Sequence, residues 1–447
     1  MAPSESDTHD RSSPPAERPL TPATVYSQDQ HGLSRSKIDE DARKIVFRLQ
    51  RAGYKAYIVG GGVRDLLIGK VPKDFDISTD ATPKEIKSLF RNCRIIGRRF
   101  KLAHIFFGSG KTIEVSTFRD TVDFQEGGEV DANGDAAPPL SDNTYGTEST
   151  DAVRRDLTIN GLFLDVSTME IIDYVGGMDD LQRGIVRVIG EPTSRFIEDP
   201  VRMIRVVRHS ARNGFQIEKG CWSSILENAW RLSTCSQVRV FDEFRKDLSS
   251  GCLLTIINLL SETGLLSEIL PELLENNSRL LSTESDLSHC LEFFDERTIE
   301  GEEVGQTPIL AVLALFTMSD SVWLRDIIET LDGATAIHEG LANTFTKLTV
   351  PKKERERISL LLQQWLKVKH AKIATFKAGA FKRSSLLSEL ITLLDATITS
   401  REDEQKLHQL RELELASYDA HSDYDGHDDG EQHDSGHRRR NDRRRRR

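Results

Sequence analysis

The chain has 447 residues, of which 38% are hydrophobic and 29% are charged, with a formal net charge of −11. This length suggests about two to four domains, and the apolar fraction is sufficient for folded cores. The longest apolar runs, such as Leu253–Leu260, are far shorter than the ~20 residues of a membrane span, and the polar N-terminus lacks the apolar segment of a signal peptide. The five cysteines are scattered without a CxxC pair, which argues against a disulfide framework or a zinc site and favours a reducing, cytoplasmic setting.

Charge is distributed unevenly along the chain. The last ten residues, 438–447, hold eight arginines and one aspartate, so the residues before them carry a net charge of −18. Such a basic end is typical of a segment that neutralises nucleic-acid phosphates, and equally of a solvated disordered tail.

The first part of the chain predicts strands interleaved with short helices. Residues 1–35 are polar and rich in proline, so we expect them to be disordered. Apolar residues recur at helical spacing over 36–51, which predicts a helix with Ser36 as its N-cap. Strands are predicted at 56–59, 75–78, 95–96, 102–107 and 112–118, and helices at 63–68 and from Pro83 onward. The pattern predicts an α/β or α+β head over residues 36–178.

The remainder of the chain predicts a different organisation. Residues 120–150 have almost no apolar periodicity and read as a long surface loop. From Asp179 the pattern becomes helical, which predicts a neck over 179–250 and a helical body over 251–415. Residues 416–447 alternate acid, glycine and histidine before the arginines, so we expect a disordered tail.

A glycine turn between a predicted strand and a predicted helix is the first candidate functional element. It lies in the sequence IVGGGVRD over 58–65, which lacks the spacing of the dinucleotide fingerprint. Gly61 and Gly62 would allow backbone N–H groups to approach a phosphate closely, at the partly positive start of a helix. An ordinary tight turn is the alternative interpretation.

Two carboxylates follow in the sequence Asp74-Phe75-Asp76. If they lie on a strand, residues two apart point to the same face, and the two like charges would require a cation. Oxygen-only ligands favour Mg²⁺, which keeps waters and substrate phosphates in its shell. Glu114, on the predicted strand over 112–118, is a candidate third carboxylate. A solvated sheet edge is the alternative, but a glycine turn followed by paired carboxylates favours metal-assisted phosphoryl or nucleotidyl transfer.

Four segments follow one another along the chain: IVGGGVRD (58–65), KDFDISTDATP (73–83), VRRDLTINGL (153–162) and EDPVR (198–202). Together they resemble the motifs of class II nucleotidyltransferases, which include tRNA CCA-adding enzymes and bacterial poly(A) polymerases of the DNA polymerase beta superfamily. The resemblance covers about residues 36–270. It implies an α+β fold, with a small mixed-sheet head followed by an all-α neck and body.

The resemblance also implies roles for individual residues. Asp74 and Asp76 would hold two Mg²⁺ ions, and Asp156 would join the active-site carboxylates. Nucleotide contacts are implied for Gly61, Gly62, Arg64, Arg154, Arg155, Asn160, Asp199, Arg202 and Arg205. Asp156 has an alternative interpretation as a helix cap, because it precedes residues 157–162. Either Asp156 or Glu114 could therefore be the third carboxylate.

Asp199 and Arg202 are three residues apart, so on a helix they would share a face. A carboxylate accepts hydrogen bonds and a guanidinium donates them, which matches the amine and adjacent ring nitrogen of adenine or cytosine. Uracil and guanine would leave a polar group unpaired, at a cost of about 1–3 kcal/mol. The pair would thus select A or C without a template and would not separate ATP from CTP. A surface ion pair is the alternative interpretation.

Residues 91–119 carry seven Lys/Arg and one Glu, which predicts a basic strand–turn–strand suited to phosphates. Arg98, Arg99 and Lys101 at its turn are therefore candidate RNA contacts, and a charged hairpin surface is the alternative. The sequence GRRFKLAH (97–104) resembles a signature of bacterial poly(A) polymerases, which implies ATP as the substrate. His104 within it could equally be an ordinary strand histidine.

The sequence also departs from the family pattern. Residues 238–240 read Val-Arg-Val where Glu-Arg-Ile is usual, so Glu243 is a candidate replacement for the missing acid. His209 stands where the pattern has an aromatic or apolar residue.

The resulting hypothesis is template-independent transfer of AMP from ATP to RNA 3′ ends in the cytoplasm, in mRNA polyadenylation and RNA turnover. A tRNA CCA- or A-adding enzyme is the first alternative. An inactive RNA-binding regulator on the same fold is the second.

Overall fold

A computed structural model describes residues 22–97, 101–120, 145–275, 285–318, 323–331 and 333–422. The chain divides into two compact units, Met1–Glu243 with Thr255–Glu268, and Phe244–Leu254 with Ile269–Arg447. Among the described helices, none combines the length and the apolar character needed to cross a membrane.

The strands of the first unit form one large mixed sheet and one small sheet. Their bounds are β1 Thr24–Tyr26, β2 Ala56–Val59, β3 Asp76–Thr79, β4 Cys93–Ile96, β5 Leu102–Phe106, β6 Thr112–Thr117, β7 Leu162–Leu164, β8 Ile171–Asp173, β9 Ile185–Val186 and β10 Gln216–Ile217. The large sheet has the order β1-β8-β7-β2-β3-β6-β5-β4. Within it β3 and β6 run parallel, while the neighbouring pairs are antiparallel.

Helices account for most of the remaining described residues. Those of the first unit are α1 Gln28–His31, α2 Glu40–Arg51, α3 Gly61–Leu67, α4 Pro83–Leu89, α5 Glu148–Val153, α6 Gly177–Arg183, α7 Pro192–Glu198, α8 Arg202–Asn213 and α9 Lys219–Asn228. Three helices, α10 Gln237–Leu248, α11 Leu253–Glu262 and α12 Leu266–Ile269, extend across the division between the units. Those of the second unit are α13 Glu272–Glu275, α14 Asp286–Ile299, α15 Gln306–Thr317, α16 Leu324–Thr330, α17 Gly333–Ala342, α18 Lys352–His370, α19 Leu387–Ala396 and α20 Arg401–Ser422. The prediction of an α+β head followed by helices is confirmed.

The larger apolar core of the head lies on one face of the large sheet, and a smaller buried cluster around Phe163 lies on the other face. On α2 the apolar residues Ala42, Ile45, Val46 and Leu49 are buried, because their helical spacing places them on one side. They pack in one cluster with strand residues such as Ile77 and Val115. The N-cap of α2 is Asp39, whose Oδ1 accepts from the backbone N–H groups of residues 41 and 42 at 3.0 Å. The prediction of Ser36 as N-cap is therefore wrong, because Ser36 lies in a preceding 3₁₀ turn.

The expected domain bounds need correction at the N-terminal side. Residues 22–35, expected to be disordered, add β1 to the sheet by pairing Val25 with Ile172. His31 Nε2 lies 2.9 Å from the carbonyl oxygen of Met169, and Leu33 is buried. Backbone pairing requires no particular composition, so a polar strand of this kind is not visible from residue types alone.

The bounds of the helical part also differ from the prediction. The second unit includes residues 244–254 and then resumes at Ile269, whereas the sequence predicted one boundary between neck and body, at residue 250. Helix α20 continues to Ser422, beyond the predicted start of the tail at residue 416. The acidic, histidine-rich and arginine-rich residues that follow lie outside the described part of the chain, as does most of the predicted loop over 120–150.

Candidate active site

Asp76 and Glu114 lie together on the face of the large sheet opposite its larger core. The parallel pairing of β3 and β6 sets Ile77 beside Val115, so the preceding residue on each strand is also a neighbour. Because Ile77 and Val115 face the core, Asp76 and Glu114 point to the other face of the sheet. Asp74 lies in the loop before β3, which begins at Asp76, so the prediction that both aspartates lie on one strand is wrong.

The charge state of Asp76 reflects these neighbours. Burial raises the pKa of the Asp76 carboxyl, and the negative charges of Glu114 and Asp74 raise it further, while Arg155 opposes them. Two further acids therefore act on Asp76, one from the neighbouring strand and one, Asp74, from the preceding loop.

The donor set fits a hard cation such as Mg²⁺. The carboxylates supply only oxygen ligands, and the repulsion that raises the pKa of Asp76 would be relieved by a bound cation. Among the described residues no three acidic, histidine or cysteine side chains form a ready-made metal cluster. This is compatible with Mg²⁺, whose shell usually includes waters and substrate phosphates.

The glycine turn packs directly against these acids. Gly60 has φ 71° and ψ −140°, a conformation that essentially only glycine adopts. A Cβ on Gly60 would lie 3.4 Å from Arg155 Nη1 and 3.9 Å from Asp76 Oδ2. Gly61 and Gly62 form the first turn of α3, and a Cβ on Gly62 would lie 3.2 Å from the carbonyl oxygen of Asp74. The glycines therefore allow α3 and the Asp74 loop to approach each other.

Arg155 is a basic residue whose charge acts on Asp76. Its Nη2 donates to Ser78 Oγ at 3.2 Å and to Asp151 Oδ2 at 2.9 Å. Its guanidinium lies 5.3 Å from the centre of the Phe163 ring. Ser78 is two residues along β3 from Asp76, so Arg155 is held over the same face of the sheet.

Asp151 positions both predicted arginines and was missed by the sequence analysis. It is fully buried, and its Oδ1 accepts from Arg154 Nε at 2.9 Å. Burial alone would raise the pKa of Asp151, but Arg155 and Arg154 outweigh it and hold the pKa below its usual range. The three- and four-residue spacing from Asp151 to the arginines was the signal that could have identified it.

Asp156, expected among the active-site carboxylates, instead pairs with two arginines of α8. Its carboxylate accepts from Arg202 Nε at 3.0 Å and from Arg205 Nη1, so both oxygens are engaged by α8. Burial raises the pKa of Asp156, but the two guanidinium groups lower it by more. The 3₁₀ turn that follows, Thr158–Asn160, has no side-chain cap, so the cap interpretation is wrong. Of the two candidates for the third carboxylate, Glu114 is the one that acts on Asp76.

Asp199 and Arg202 are separated by a break between helices. Helix α7 ends at Glu198, Asp199 is extended, and α8 begins at Arg202, so the prediction that the pair lies on one helix is wrong. Arg202 is buried and donates to Asp156, to Glu198 Oε2 at 2.7 Å and to the carbonyl oxygen of Arg195 at 2.9 Å.

Each member of the pair nevertheless keeps an unused polar atom. Asp199 Oδ2 accepts from Arg239 Nη2 at 2.7 Å, whereas its buried Oδ1 has no hydrogen-bond partner among the described residues. The hydrogen bonds that Arg202 donates to described residues come from Nε and Nη1, so Nη2 takes no part in them. One acceptor and one donor therefore remain.

Glu243 braces α8 from α10. Its Oε1 accepts from Arg205 Nε at 3.2 Å, and its backbone carbonyl accepts from Arg208 Nη2 at 2.6 Å. The side chain also forms an ion pair with the guanidinium of Arg208. Glu243 therefore places a carboxylate against α8, as a replacement for the acid missing from residues 238–240 would. Arg205, expected at the nucleotide, is held between Asp156 and Glu243.

Arg64, expected to contact the nucleotide, is buried and links three elements. It donates to Asp65 Oδ1 at 2.7 Å, to Asn160 Oδ1 at 2.6 Å and to His209 Nδ1 at 3.2 Å. Burial and the adjacent Arg64 hold the pKa of His209 well below its usual range, so His209 is a neutral acceptor. This contact gives a physical reason for a histidine at position 209. Asn160 is turned toward Arg64 and is only partly exposed.

The basic hairpin forms as predicted from β4 and β5. Arg98 and Arg99 lie outside the described residues, and Lys101 is exposed just before β5. His104 on β5 lies 3.2 Å from Glu114, measured between His104 Nε2 and Glu114 Oε1.

Two family models match the chain. Residues 56–187 match the model described as "Poly A polymerase head domain", and residues 214–276 match "Probable RNA and SrmB- binding site of polymerase A". Over residues 56–187 the chain is therefore similar to the head domain of that family. This confirms the resemblance inferred from the sequence motifs, three of which lie within the matched residues.

Curated relatives show the same likeness. The chain is 48% identical over 232 residues to "Poly(A) polymerase I" of Salmonella typhi, covering 51% of this chain and 49% of that protein. It is 34% identical over 225 residues to the "CCA-adding enzyme" of Bacillus pumilus, covering 50% of this chain and 54% of that protein. The matched stretch therefore spans about half the length of the curated relatives.

Solved structures with the same fold cover more of the chain. A CCA-adding enzyme of Bacillus stearothermophilus in complex with CTP matches with a TM-score of 0.59 and 23% identity, over 84% of this chain and 82% of that chain. A tRNA nucleotidyltransferase complexed with a primer tRNA and an incoming ATP analog matches with a TM-score of 0.56 and 24% identity, over 83% of this chain and 99% of that chain. At these identities the likeness establishes the fold alone.

Proposed function

We propose that this chain is a template-independent poly(A) polymerase that adds AMP from ATP to RNA 3′ ends, in mRNA polyadenylation and RNA turnover. The observation that carries the proposal is the convergence of Asp74, Asp76 and Glu114 beside the Gly60 turn and Arg155. Greater identity to poly(A) polymerase I relatives than to CCA-adding enzymes, 48% against 34%, favours ATP alone as the substrate. We place the reaction in the cytoplasm, where RNA and ATP are both available.

In this reaction the RNA 3′-hydroxyl loses its proton to solvent, and its oxygen forms a bond to the α-phosphorus of ATP. The bond from that phosphorus to the oxygen bridging the α- and β-phosphates breaks, and pyrophosphate leaves. Asp74 and Asp76 would hold two Mg²⁺ ions, with Glu114 as the third carboxylate. Bound Mg²⁺ would supply Lewis-acid stabilisation of the charge that develops on the phosphate oxygens.

The basic groups around the acids have a complementary role. Arg155 is fixed by Ser78 and Asp151, so its positive charge is preorganised beside the acids. We assign Arg154 and Arg155 to the triphosphate, with the backbone of Gly61 and Gly62 nearby. Asp156 acts indirectly, because it holds Arg202 and Arg205 in place rather than facing the acids.

Asp199 and Arg202 are the proposed readers of the base. The unpaired Asp199 Oδ1 would accept from the exocyclic amine of adenine, and Arg202 Nη2 would donate to its N1. A buried carboxylate oxygen without a partner is costly, so a ligand that supplies a donor there is stabilised. Cytosine offers the same pattern, which keeps a CTP-using enzyme as the second candidate function.

RNA contacts are proposed on the neck. Trp230 is 52% exposed, and the Arg231 guanidinium lies 4.6 Å from the centre of its ring. An exposed aromatic ring beside an arginine suits base stacking and phosphate contact without sequence choice. Both residues lie in the stretch matched by the model described as a probable RNA-binding site. Arg98, Arg99 and Lys101 remain proposed RNA contacts on the head.

Extension of one labelled RNA primer with each nucleoside triphosphate separately tests the proposal. We expect long tails with ATP and none with CTP, GTP or UTP. If the chain instead stops after one to three additions on a tRNA that lacks its 3′ end, it is a CCA- or A-adding enzyme. Binding of RNA without extension by any nucleotide would identify an inactive regulator, and unchanged tailing by Asp76→Ala would refute the metal assignment.

A further inference from the structure

A row of polar side chains crosses the face of the sheet opposite its larger core, toward Asp76. Strand pairing sets Arg94 on β4 opposite His104 on β5, and His104 opposite Glu114 on β6. Directly opposed residues on neighbouring strands point to the same face. Asp76 on β3 is next in the row, as the parallel pairing of β3 and β6 requires. His104 is thus separated from Asp76 only by Glu114.

The Glu114 side chain has one described contact that can fix its orientation. Its side chain is 49% exposed, and the charge of Asp76 repels it. A long flexible carboxylate in such a place samples many rotamers unless a partner restrains it. His104 is that partner, since His104 Nε2 lies 3.2 Å from Glu114 Oε1.

His104 is better restrained than Glu114. Its side chain is only 21% exposed, and its ring centre lies 6.4 Å from that of Phe106. The Arg94 guanidinium lies 5.7 Å from the centre of the Phe106 ring, on the side of the edge strand. A packed ring therefore presents its Nε2 atom to an otherwise loosely held carboxylate.

We propose that His104 is a positioning residue that holds Glu114 in the orientation in which it completes the carboxylate set beside Asp74 and Asp76. The inference rests on the proposed function, because it assumes that these acids bind a divalent cation. Residues that orient the ligands of a metal typically change metal affinity by 10- to 100-fold when they are removed. His104 is therefore expected to affect metal affinity rather than ATP binding.

The test uses the full chain with three variants. His104→Ala removes the contact, and His104→Gln retains an N–H donor of similar reach. His408→Ala is the matched control, because exposed His408 lies 3.4 Å from Glu412 in α20, away from the acids in sequence and in the second unit. Two quantities are measured: the Mg²⁺ concentration at half-maximal primer extension, and the dissociation constant of Mn²⁺ alone, by electron paramagnetic resonance.

We expect His104→Ala to raise both quantities about tenfold, with the KM for ATP at saturating Mg²⁺ changed by less than about twofold. His104→Gln should recover most of the loss, and His408→Ala should match the parent chain. In a Glu114→Gln background, His104→Ala should have no further effect, because the two residues act through one contact.

The proposal is overturned if His104→Ala leaves Mn²⁺ affinity unchanged, or if its effect persists in full in the Glu114→Gln background. It is also overturned if the alanine and glutamine variants lose affinity equally, since a purely structural role would then suffice. Failure of the proposed function is separately visible: the parent chain would bind Mn²⁺ but extend no primer. The Mn²⁺ measurement then still decides the role of His104.

Discussion

Replacement of Glu243 by alanine is expected to loosen the helix that carries Arg202. Glu243 is 4% exposed and is the acid that α10 contributes to Arg205 and Arg208 on α8. Arg208 is itself 6% exposed, so the substitution would remove a carboxylate that pairs with a buried guanidinium. The substitution therefore disrupts a buried ion pair rather than one on the surface.

The magnitude follows from this burial. Removing one partner of a buried ion pair typically costs 3–5 kcal/mol, and the lower value of about 3 kcal/mol applies here because Arg205 is partly exposed and keeps its contact with Asp156. In a unit of this size, 1 kcal/mol corresponds to a shift of about 2–4 °C in the unfolding temperature. We therefore expect Glu243→Ala to lower the unfolding temperature of the first unit by about 6–12 °C.

Differential scanning calorimetry of the parent chain and Glu243→Ala measures this shift. Glu412→Gln is the control, because Glu412 forms an exposed pair with His408 and should change the transition by less than about 2 °C. The same variants are assayed for primer extension with ATP and CTP, and the preference for ATP should fall in Glu243→Ala. An unfolding temperature within 2 °C of the parent value, with unchanged nucleotide preference, would refute the role of Glu243 as a brace.

Three further predictions test the site. Asp76→Asn should reduce primer extension by at least about 100-fold at saturating RNA, because a carboxylate of the proposed metal site is lost, whereas His408→Ala should have no effect. Asp156 has a lowered pKa in the folded chain, so its contribution to stability is complete above the ordinary aspartate range near pH 4 and is lost as the pH falls through the lowered value. The unfolding temperature of Asp156→Asn should therefore be well below that of the parent at pH 7 and should converge with it under strongly acidic conditions; a constant difference would contradict the ion-pair assignment. Trp230→Ala should weaken binding of an unstructured RNA about tenfold in a fluorescence anisotropy titration, equivalent to about 1.4 kcal/mol of stacking. Trp323→Ala, which removes another exposed tryptophan, should bind RNA as the parent does.

Local patterns were sufficient to predict much of the head. The strand at Ala56–Val59, the hairpin of β4 and β5 and the buried face of α2 all follow from periodicities within one element. Errors occurred at element ends, where a single side chain decides the outcome: Asp39 rather than Ser36 caps α2, and β3 begins at Asp76 and leaves Asp74 in the preceding loop. Capping and strand ends depend on backbone geometry that residue type constrains only weakly.

The sequence by itself determined the kind of site: the glycine turn, the paired aspartates and the arginines that follow them are local and ordered along the chain. Only the tertiary structure decided which charges meet. Asp156 pairs with Arg202 and Arg205, Glu243 reaches α8 from α10, and His104 and Glu114 line up with Asp76 across three strands. The physical reason is that strand register and helix packing bring together residues far apart in sequence, and an ion pair forms with the nearest opposite charge in space.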